Sequence, residues 1–373
     1  MIPLFKVHTP ASVGEKIQEV FDSGFITEGQ YSDEFEEKIQ NFLGTNTALL
    51  VNSGTSSLSL AYHLCDVGPG DEVITSPMTC MATNAPIVTR GAKIVWADID
   101  PTTGNICPKD VANKVTSKTK AIVGVHWAGQ PFDVDSLMGF NRNVLCNDYP
   151  DEFNEHIPVI EDSAHALGAT YKGRSAGTLG DYGCFSFQAI KHLTTADGGL
   201  LWCTDESQFN RAKKLRWFGL DRKYQGPKWE QDIPECGYKF HMNNINAVIG
   251  LLQMKSIDWI IAEHKRNSAF YDKHISNGKV KLLRRPAESE SSCWIYSLLV
   301  DDVKSFKNHM ERNGVMCDAV HVRNDVYSVF SKFKDNNLPG VDEFTEQMIN
   351  IPVGWWLSPE DRNNIVSLVN EYK

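Results

Sequence analysis

The sequence predicts an α/β fold: a mainly parallel seven-stranded sheet with helices on both faces, followed by a smaller C-terminal α/β domain. Three observations carry this. Between about residues 45 and 205, short β-rich runs alternate with helical segments. The runs are nearly continuous in apolar residues, as strands covered on both faces are. After about residue 206 the rhythm changes to longer helices and a second, smaller set of strands.

The strands expected, in order, are TALLVN (47–52), EVITS (72–76), KIVWAD (93–98), KAIVGVH (120–126), PVIED (158–162), GCFSF (183–187) and GLLWCT (199–204). Each is short, rich in Val, Ile, Leu or aromatic residues, and set off from the next. SSLSLAYHLC (56–65) and ATNAPIVTRG (82–91) read as helices between them. The polar stretch 141–157 reads as a surface insertion. ESQFNRAKKLRWFG (206–219) reads as a helix, 217–240 as a long loop, and 243–275 as a strongly helical run that bends near 255. The remainder mixes a strand (293–300) with helices (303–314 and 358–372). This places residues 1–255 in an N-terminal segment and large domain, and 256–373 in a small C-terminal domain.

The chain has 373 residues, with 37 Lys and Arg against 47 Asp and Glu. A net charge of -10 argues against a nucleic-acid-binding surface. No apolar run approaches the roughly 20 residues of a membrane helix, and the N-terminus lacks a signal-peptide pattern. No membrane partner and a cytoplasmic location are therefore expected. Nine scattered cysteines without a C-x-x-C pair argue against a disulfide framework or a zinc site, and no metal is expected.

In open α/β sheets, ligands bind beyond the carboxyl ends of strands. Three such ends here are rich in functional groups. NSGTSS (52–57) ends the first strand and opens a helix, gathering free amides and hydroxyls at Gly54, Thr55 and Ser56. That suits a phosphate and equally a plain N-cap. Neither familiar nucleotide-cradle motif is present. Asp162 closes PVIED, where a carboxylate is costly unless a cation or donors meet it. A protonated ring nitrogen is one such partner, and His165 is close enough in sequence to reach the same ligand. A helix cap and a structural histidine are the alternative. Ser186 and Lys191 flank the end of GCFSF. A buried lysine tends to lose its proton, and a neutral amine is what Schiff-base chemistry needs. A snorkelling lysine is the alternative. Together, a phosphate site, a carboxylate for a ring nitrogen and an amine for an aldehyde match three groups of pyridoxal 5'-phosphate. His126, Trp127 and Gln130, after KAIVGVH, are candidates to line a substrate pocket.

The chain resembles the DegT/DnrJ/EryC1/StrS aminotransferases, the sugar aminotransferases of fold type I. GFITEGQYSDEFEEKI, NSGTSSL, GDEVITSP, ATNAPI, GAKIVWADID, EDSAHALGA, GDYGCFSF, TTADGG, GYKFHMNNINAVIGL and IPVGWWLS have counterparts there in this order. The resemblance implies that Lys191 forms the Schiff base with pyridoxal phosphate and shuttles a proton. It implies that Asp162 holds the pyridine nitrogen protonated and that His165 lies beside the phenolic oxygen. Gly54, Thr55, Ser56 and Ser186 would hold the phosphate. It further implies a homodimer with active sites at the interface, GYKFHM reaching the neighbouring cofactor. Two departures stand out. Cys80 replaces the aromatic residue that stacks on the cofactor ring, and Lys239 and His241 replace the Asn and Arg of the family's G-x-N-x-R-M. His321 matches a substrate-side histidine, and Arg323 beside it is a candidate for an anionic substrate group.

The implied reaction moves an amino group from an amino acid donor, expected to be L-glutamate, to a keto-sugar acceptor. SPMTC, FSFQAIKHLTT, GYKFHM, HVRND and PVGWW resemble a branch that includes the aminotransferase forming 8-amino-3,8-dideoxy-manno-octulosonate for lipopolysaccharide. An 8-oxo octulosonate and a nucleotide-linked keto-deoxy sugar are both open as acceptors. Alternatives are a dehydratase of the same fold, in which a histidine replaces the lysine, and a non-catalytic cofactor-binding regulator. An amino-acid acceptor would call for an arginine clamp, for which Arg216, Arg222 and Arg323 are candidates.

Overall fold

The computed structural model describes residues 1–140, 156–335 and 337–373. Most of the expected insertion at 141–157 therefore lies outside the described residues.

All seven expected strands form one sheet. In chain order they are β1 (Ala48–Val51), β2 (Glu72–Thr75), β3 (Lys93–Trp96), β4 (Thr119–Val125), β5 (Val159–Asp162), β6 (Tyr182–Ser186) and β7 (Gly199–Cys203). Across the sheet they run β1-β7-β6-β5-β4-β2-β3. The pairs β6–β5, β5–β4, β4–β2 and β2–β3 are parallel. β7 is antiparallel to both neighbours, β1 and β6. Every residue of β1, β2, β5 and β7 is buried, so the near-continuous apolar runs have a direct cause.

Two helices place site residues at the carboxyl ends of strands. α1 (Gly54–Leu64) follows β1 and buries Leu58, Leu60, Tyr62 and Leu64. Each such side chain contributes about 2 kcal/mol. Ser53 caps it, its Oγ accepting from the Ser56 amide at 3.1 Å. α2 (Met81–Thr89) follows β2 and begins directly after Cys80.

Consecutive residues of a strand face opposite sides of the sheet. Asp162 on β5 therefore sits level with Val125 and Cys184 and faces the ligand side. Glu161 faces away, level with Gly124 and Gly183. A Cβ on Gly183 would lie 1.8 Å from the Gly177 carbonyl oxygen, so only glycine lets that loop approach.

The helical run beyond 243 breaks between α3 (Asn244–Met254) and α4 (Ile257–His274), which meet at 60°. Past α4 a second sheet forms from β8 (Val280–Leu282), β9 (Tyr296–Val300) and β10 (Met348–Ile351). α5 (Val303–Arg312) and α6 (Pro359–Glu371) pack with it into a separate apolar cluster. The first residues of the chain join this C-terminal part. The Ile2 amide donates to the Gly314 carbonyl at 2.7 Å, and Trp356 Nε1 donates to the Pro3 carbonyl at 3.1 Å. Among the described residues no single helix is long and apolar enough to cross a membrane.

Candidate active site

A cavity of about 230 Å³ opens at the carboxyl ends of β1, β4, β5 and β6. Gly54, Thr55, Cys80, Asp162, His165, Ser186, Lys191 and His321 all line it. Ser53, Thr79, Val125, Ala164, Gln188 and Ile190 line it as well.

Asp162 is buried at the end of β5. Its Oδ2 accepts from Thr83 Oγ1 at 2.6 Å and its Oδ1 from the Ala164 amide at 3.1 Å. Burial pushes its carboxyl above the ordinary aspartate range, while the two donors and the Lys191 charge oppose that rise. The sequence does not single out Thr83, although Thr79 and Thr83 are spaced one helical turn apart. Their hydroxyls lie 2.8 Å from each other, which extends the donor chain from Asp162.

Lys191 is half-buried, with its amine crowded by protein atoms. Desolvation lowers its pKa to about 8, against the pull of Asp162 and Cys80. Its Nζ lies 3.9 Å from the centre of the Trp294 ring. The expected neutral-amine chemistry thus has a physical basis.

His165 is buried and stacked on Trp294, with ring centres 3.8 Å apart and planes 11° from parallel. His165 Nε2 is 3.3 Å from His321 Nε2, so one ring donates and the other accepts. Burial holds His165 well below its ordinary pKa and lowers His321 to about 3, so the pair is neutral. His165 Nδ1 is buried without a partner.

At the start of α1, the amides of Gly54 and Thr55 have no intrahelical partner. A Cβ on Gly54 would lie 2.9 Å from Ser186 Cβ, so glycine keeps this corner open. Ser56 is turned away instead. Its hydroxyl donates to Asn52 Oδ1 at 2.6 Å, and it does not line the cavity.

Several expected substrate residues sit elsewhere. His126 lies on the opposite face with Glu161: its Nε2 is 2.9 Å from Glu161 Oε2, and its ring stacks on Phe132. Glu161 also accepts from the Gly177, Leu179 and Gly180 amides, so this pair anchors a loop. Trp127 is buried in the core with Nε1 on Ser297 Oγ, although its edge meets His321. Gln130 donates to Ser289 Oγ at 2.5 Å, outside the cavity. Arg323 is engaged by Asp325 at 2.6 and 2.7 Å, and by Asp342. Lys239 does not line the cavity. Its Nζ lies 3.8 Å over the Trp217 ring.

These residues fit pyridoxal phosphate. A carboxylate, an amine of lowered pKa, an unpartnered imidazole nitrogen and an open helix N-terminus converge on one cavity. With the sheet order, they define a fold-type I pyridoxal-phosphate enzyme. The chain belongs to the DegT/DnrJ/EryC1/StrS aminotransferase family, whose model matches residues 10–370. It is similar to the crystal structure of AtS13 from Actinomadura melliaura, with 39% identity, 99% and 98% of the two chains covered, and a TM-score of 0.93. It is also similar to the sugar aminotransferase CalS13 from Micromonospora echinospora, at 34% identity, with 99% of each chain covered and a TM-score of 0.93. The spore coat polysaccharide biosynthesis protein SpsC of Bacillus subtilis is 30% identical, covering 96% of this chain and 94% of its own.

Proposed function

We propose that this enzyme transfers an amino group from an amino acid, L-glutamate, to a keto sugar destined for a surface polysaccharide. The observation that carries the reading is the convergence of Lys191, Asp162, His165 and the Gly54–Ser186 corner on one cavity. The family and the similarity to CalS13 and SpsC support a sugar acceptor. An 8-oxo octulosonate and a nucleotide-linked keto sugar are the two acceptor classes to separate. The working unit in this reading is a homodimer, with Lys239 serving the neighbouring site.

Asp162 would hold the cofactor's ring nitrogen, Lys191 its aldehyde carbon, His165 its phenolic oxygen, and Gly54, Thr55 and Ser186 its phosphate. When bound, the cofactor supplies a carbonyl that accepts the amino group and a ring that takes up electron density. The protein supplies the rest. Asp162 would present a negative charge to the ring nitrogen. Lys191 Nζ, neutral over a useful fraction of time near pH 8, accepts and returns a proton at the reacting carbon. The neutral histidine pair offers a hydrogen bond without adding charge. Apolar walls such as Leu58 and Val125 limit water.

The test is a panel of nucleotide-linked keto sugars and 8-oxo octulosonate, with glutamate as donor and products read by mass spectrometry. A gain of an amino group with release of 2-oxoglutarate is expected, and Lys191→Ala abolishes it. Loss of water from the sugar would point to a dehydratase. No turnover of any sugar by the fully loaded protein would point to a non-catalytic role.

A further inference from the structure

Trp294, to which the proposed function gives no role, lies in the segment Ser291–Ile295 that leads into β9. Its side chain is fully buried. It touches two members of the site at once. The His165 ring stacks on it at 3.8 Å, and Lys191 Nζ lies 3.9 Å from its ring centre. Its Nε1 donates to the carbonyl of Ile190, the residue before Lys191, at 2.8 Å.

The backbone around it is fastened to the His165 turn, to the turn after β4 and to α4. Ser292 Oγ donates to the His165 carbonyl at 2.7 Å, and the Trp294 amide donates to the Ala128 carbonyl at 3.0 Å. The Cys293 carbonyl lies 3.0 Å from His264 Nδ1. Cys293 itself has φ of 55°, a left-handed conformation that costs a non-glycine residue energy. Such a conformation persists where its surroundings over-determine it, and here they include the carbonyls beside both site residues. Phe5 packs against the indole at 5.2 Å, closing its environment further.

We propose that Trp294 is a positioning residue: one indole fixes both the Lys191 amine and the His165 imidazole and keeps water from the amine. This rests on the assignment of Lys191 as the Schiff-base lysine. The indole acts in two ways. Its face keeps water from the amine, which favours the neutral form, and also attracts an ammonium, which favours the charged one, so its effect is on placement and water access rather than on charge alone. Its hydrogen bond to Ile190 fixes the loop from which the amine projects. The other groups facing the amine are Asp162 from the end of β5, His165 from the following turn, Cys80 from the start of α2, His321 from the C-terminal part and His192 beside it. Of these, Asp162 and Cys80 favour the charged amine.

The test uses cofactor-free full-length protein and does not depend on turnover. Pyridoxal phosphate is added across a pH series, the adduct is reduced with borohydride, and the labelled peptide is quantified by mass spectrometry. In the wild type the label falls on Lys191, and its rate rises with pH through about 8. Trp294→Leu loses both the ring face over the amine and the bond to the Ile190 carbonyl, and is expected to slow labelling about tenfold at neutral pH. Trp294→Phe keeps an aromatic face but loses the bond to Ile190, and an intermediate loss of about threefold is expected. If Trp294→Leu does not fold, Trp294→Phe alone decides. A wild-type rate in the folded variant overturns the role of Trp294. Label on a lysine other than Lys191 in the wild type overturns the Schiff-base assignment instead.

Discussion

Replacing Thr83 with valine removes one hydroxyl from beneath the cofactor site while keeping the side chain's shape. Thr83 Oγ1 donates to Asp162 Oδ2 at 2.6 Å, the only side-chain hydrogen bond to that carboxylate among the described residues. The Ala164 amide, at 3.1 Å, remains. A hydrogen bond to a charged group is worth about 1.5–3 kcal/mol. The charged carboxylate is required when a cationic ring nitrogen lies against it, so the loss falls on the cofactor-bound state. Cofactor affinity should weaken roughly 10- to 100-fold, measured by titrating the cofactor-free protein and following fluorescence. Thr83→Ser, which restores the hydroxyl, should bind as the wild type does. The pH dependence has a definite sign. Burial raises Asp162, so the folded cofactor-free protein holds a proton that the unfolded chain has released. This group's contribution to stability therefore falls as pH rises from the ordinary aspartate range through the raised folded value. Removing Thr83 takes away a donor that opposes the rise, which extends the window upward. Urea unfolding of the cofactor-free protein should show the variant losing more stability than the wild type as pH rises across that window. Wild-type cofactor affinity and an unchanged pH profile in Thr83→Val would refute the claim that Thr83 holds the Asp162 charge.

Three further substitutions separate the site from its scaffold. Gly54→Ala drives a methyl group to 2.9 Å from Ser186 Cβ and should cost about 1–3 kcal/mol, with faster loss of cofactor on dialysis. His126→Phe keeps the stack on Phe132 but leaves Glu161 without its imidazole; it should lower the unfolding free energy by about 1–3 kcal/mol in urea titration while the loaded enzyme keeps its kcat. Arg323→Ala leaves the buried Asp325 unpaired and should destabilise by about 3 kcal/mol in thermal or urea unfolding, the mark of a structural ion pair.

The seven strands were legible because most are buried on both faces and so read as apolar runs; at the edge strand β3, one face carries the exposed Lys93. Asp162, Lys191 and the Gly54 corner were legible because a strand end is a fixed address for ligand groups. What local sequence does not carry is direction. Glu161 and Asp162 are adjacent carboxylates on one strand. The pleat sends one to the site and the other to His126 and a loop. The same alternation and the turn after β4 took His126 and Gln130 away from the cavity. Trp294 is the opposite case. CWIYSLLV reads as an ordinary strand, and only the docking of the C-terminal part on the His165 and Lys191 loops gives its indole two polar neighbours.

The fate of the three candidate arginines bears on the acceptor. Arg216 is held by Glu28 and Glu36, with NH1 also on the Leu50 carbonyl at 2.8 Å. Arg222 pairs with Glu28 and lies over Trp217. Arg323 forks onto Asp325. A guanidinium already satisfied by carboxylates gains little by exchanging them for a substrate anion, because the abandoned carboxylates must be resolvated or left unpaired. Lys191 is the only Lys or Arg among the described residues lining the cavity, and the proposed reaction occupies it. The histidine pair there is neutral. No arginine lines this cavity among the described residues, so the carboxylates of the glutamate donor, like those of an amino-acid acceptor, must meet their cations outside this set, whereas the hydroxyls of a sugar ask only for the neutral donors and acceptors the cavity offers. A phosphate or carboxylate carried elsewhere on that sugar must meet its cation outside this set. In a dimer, Lys239 of the neighbouring subunit is the first residue to substitute, and the readout is the KM of charged against uncharged acceptors.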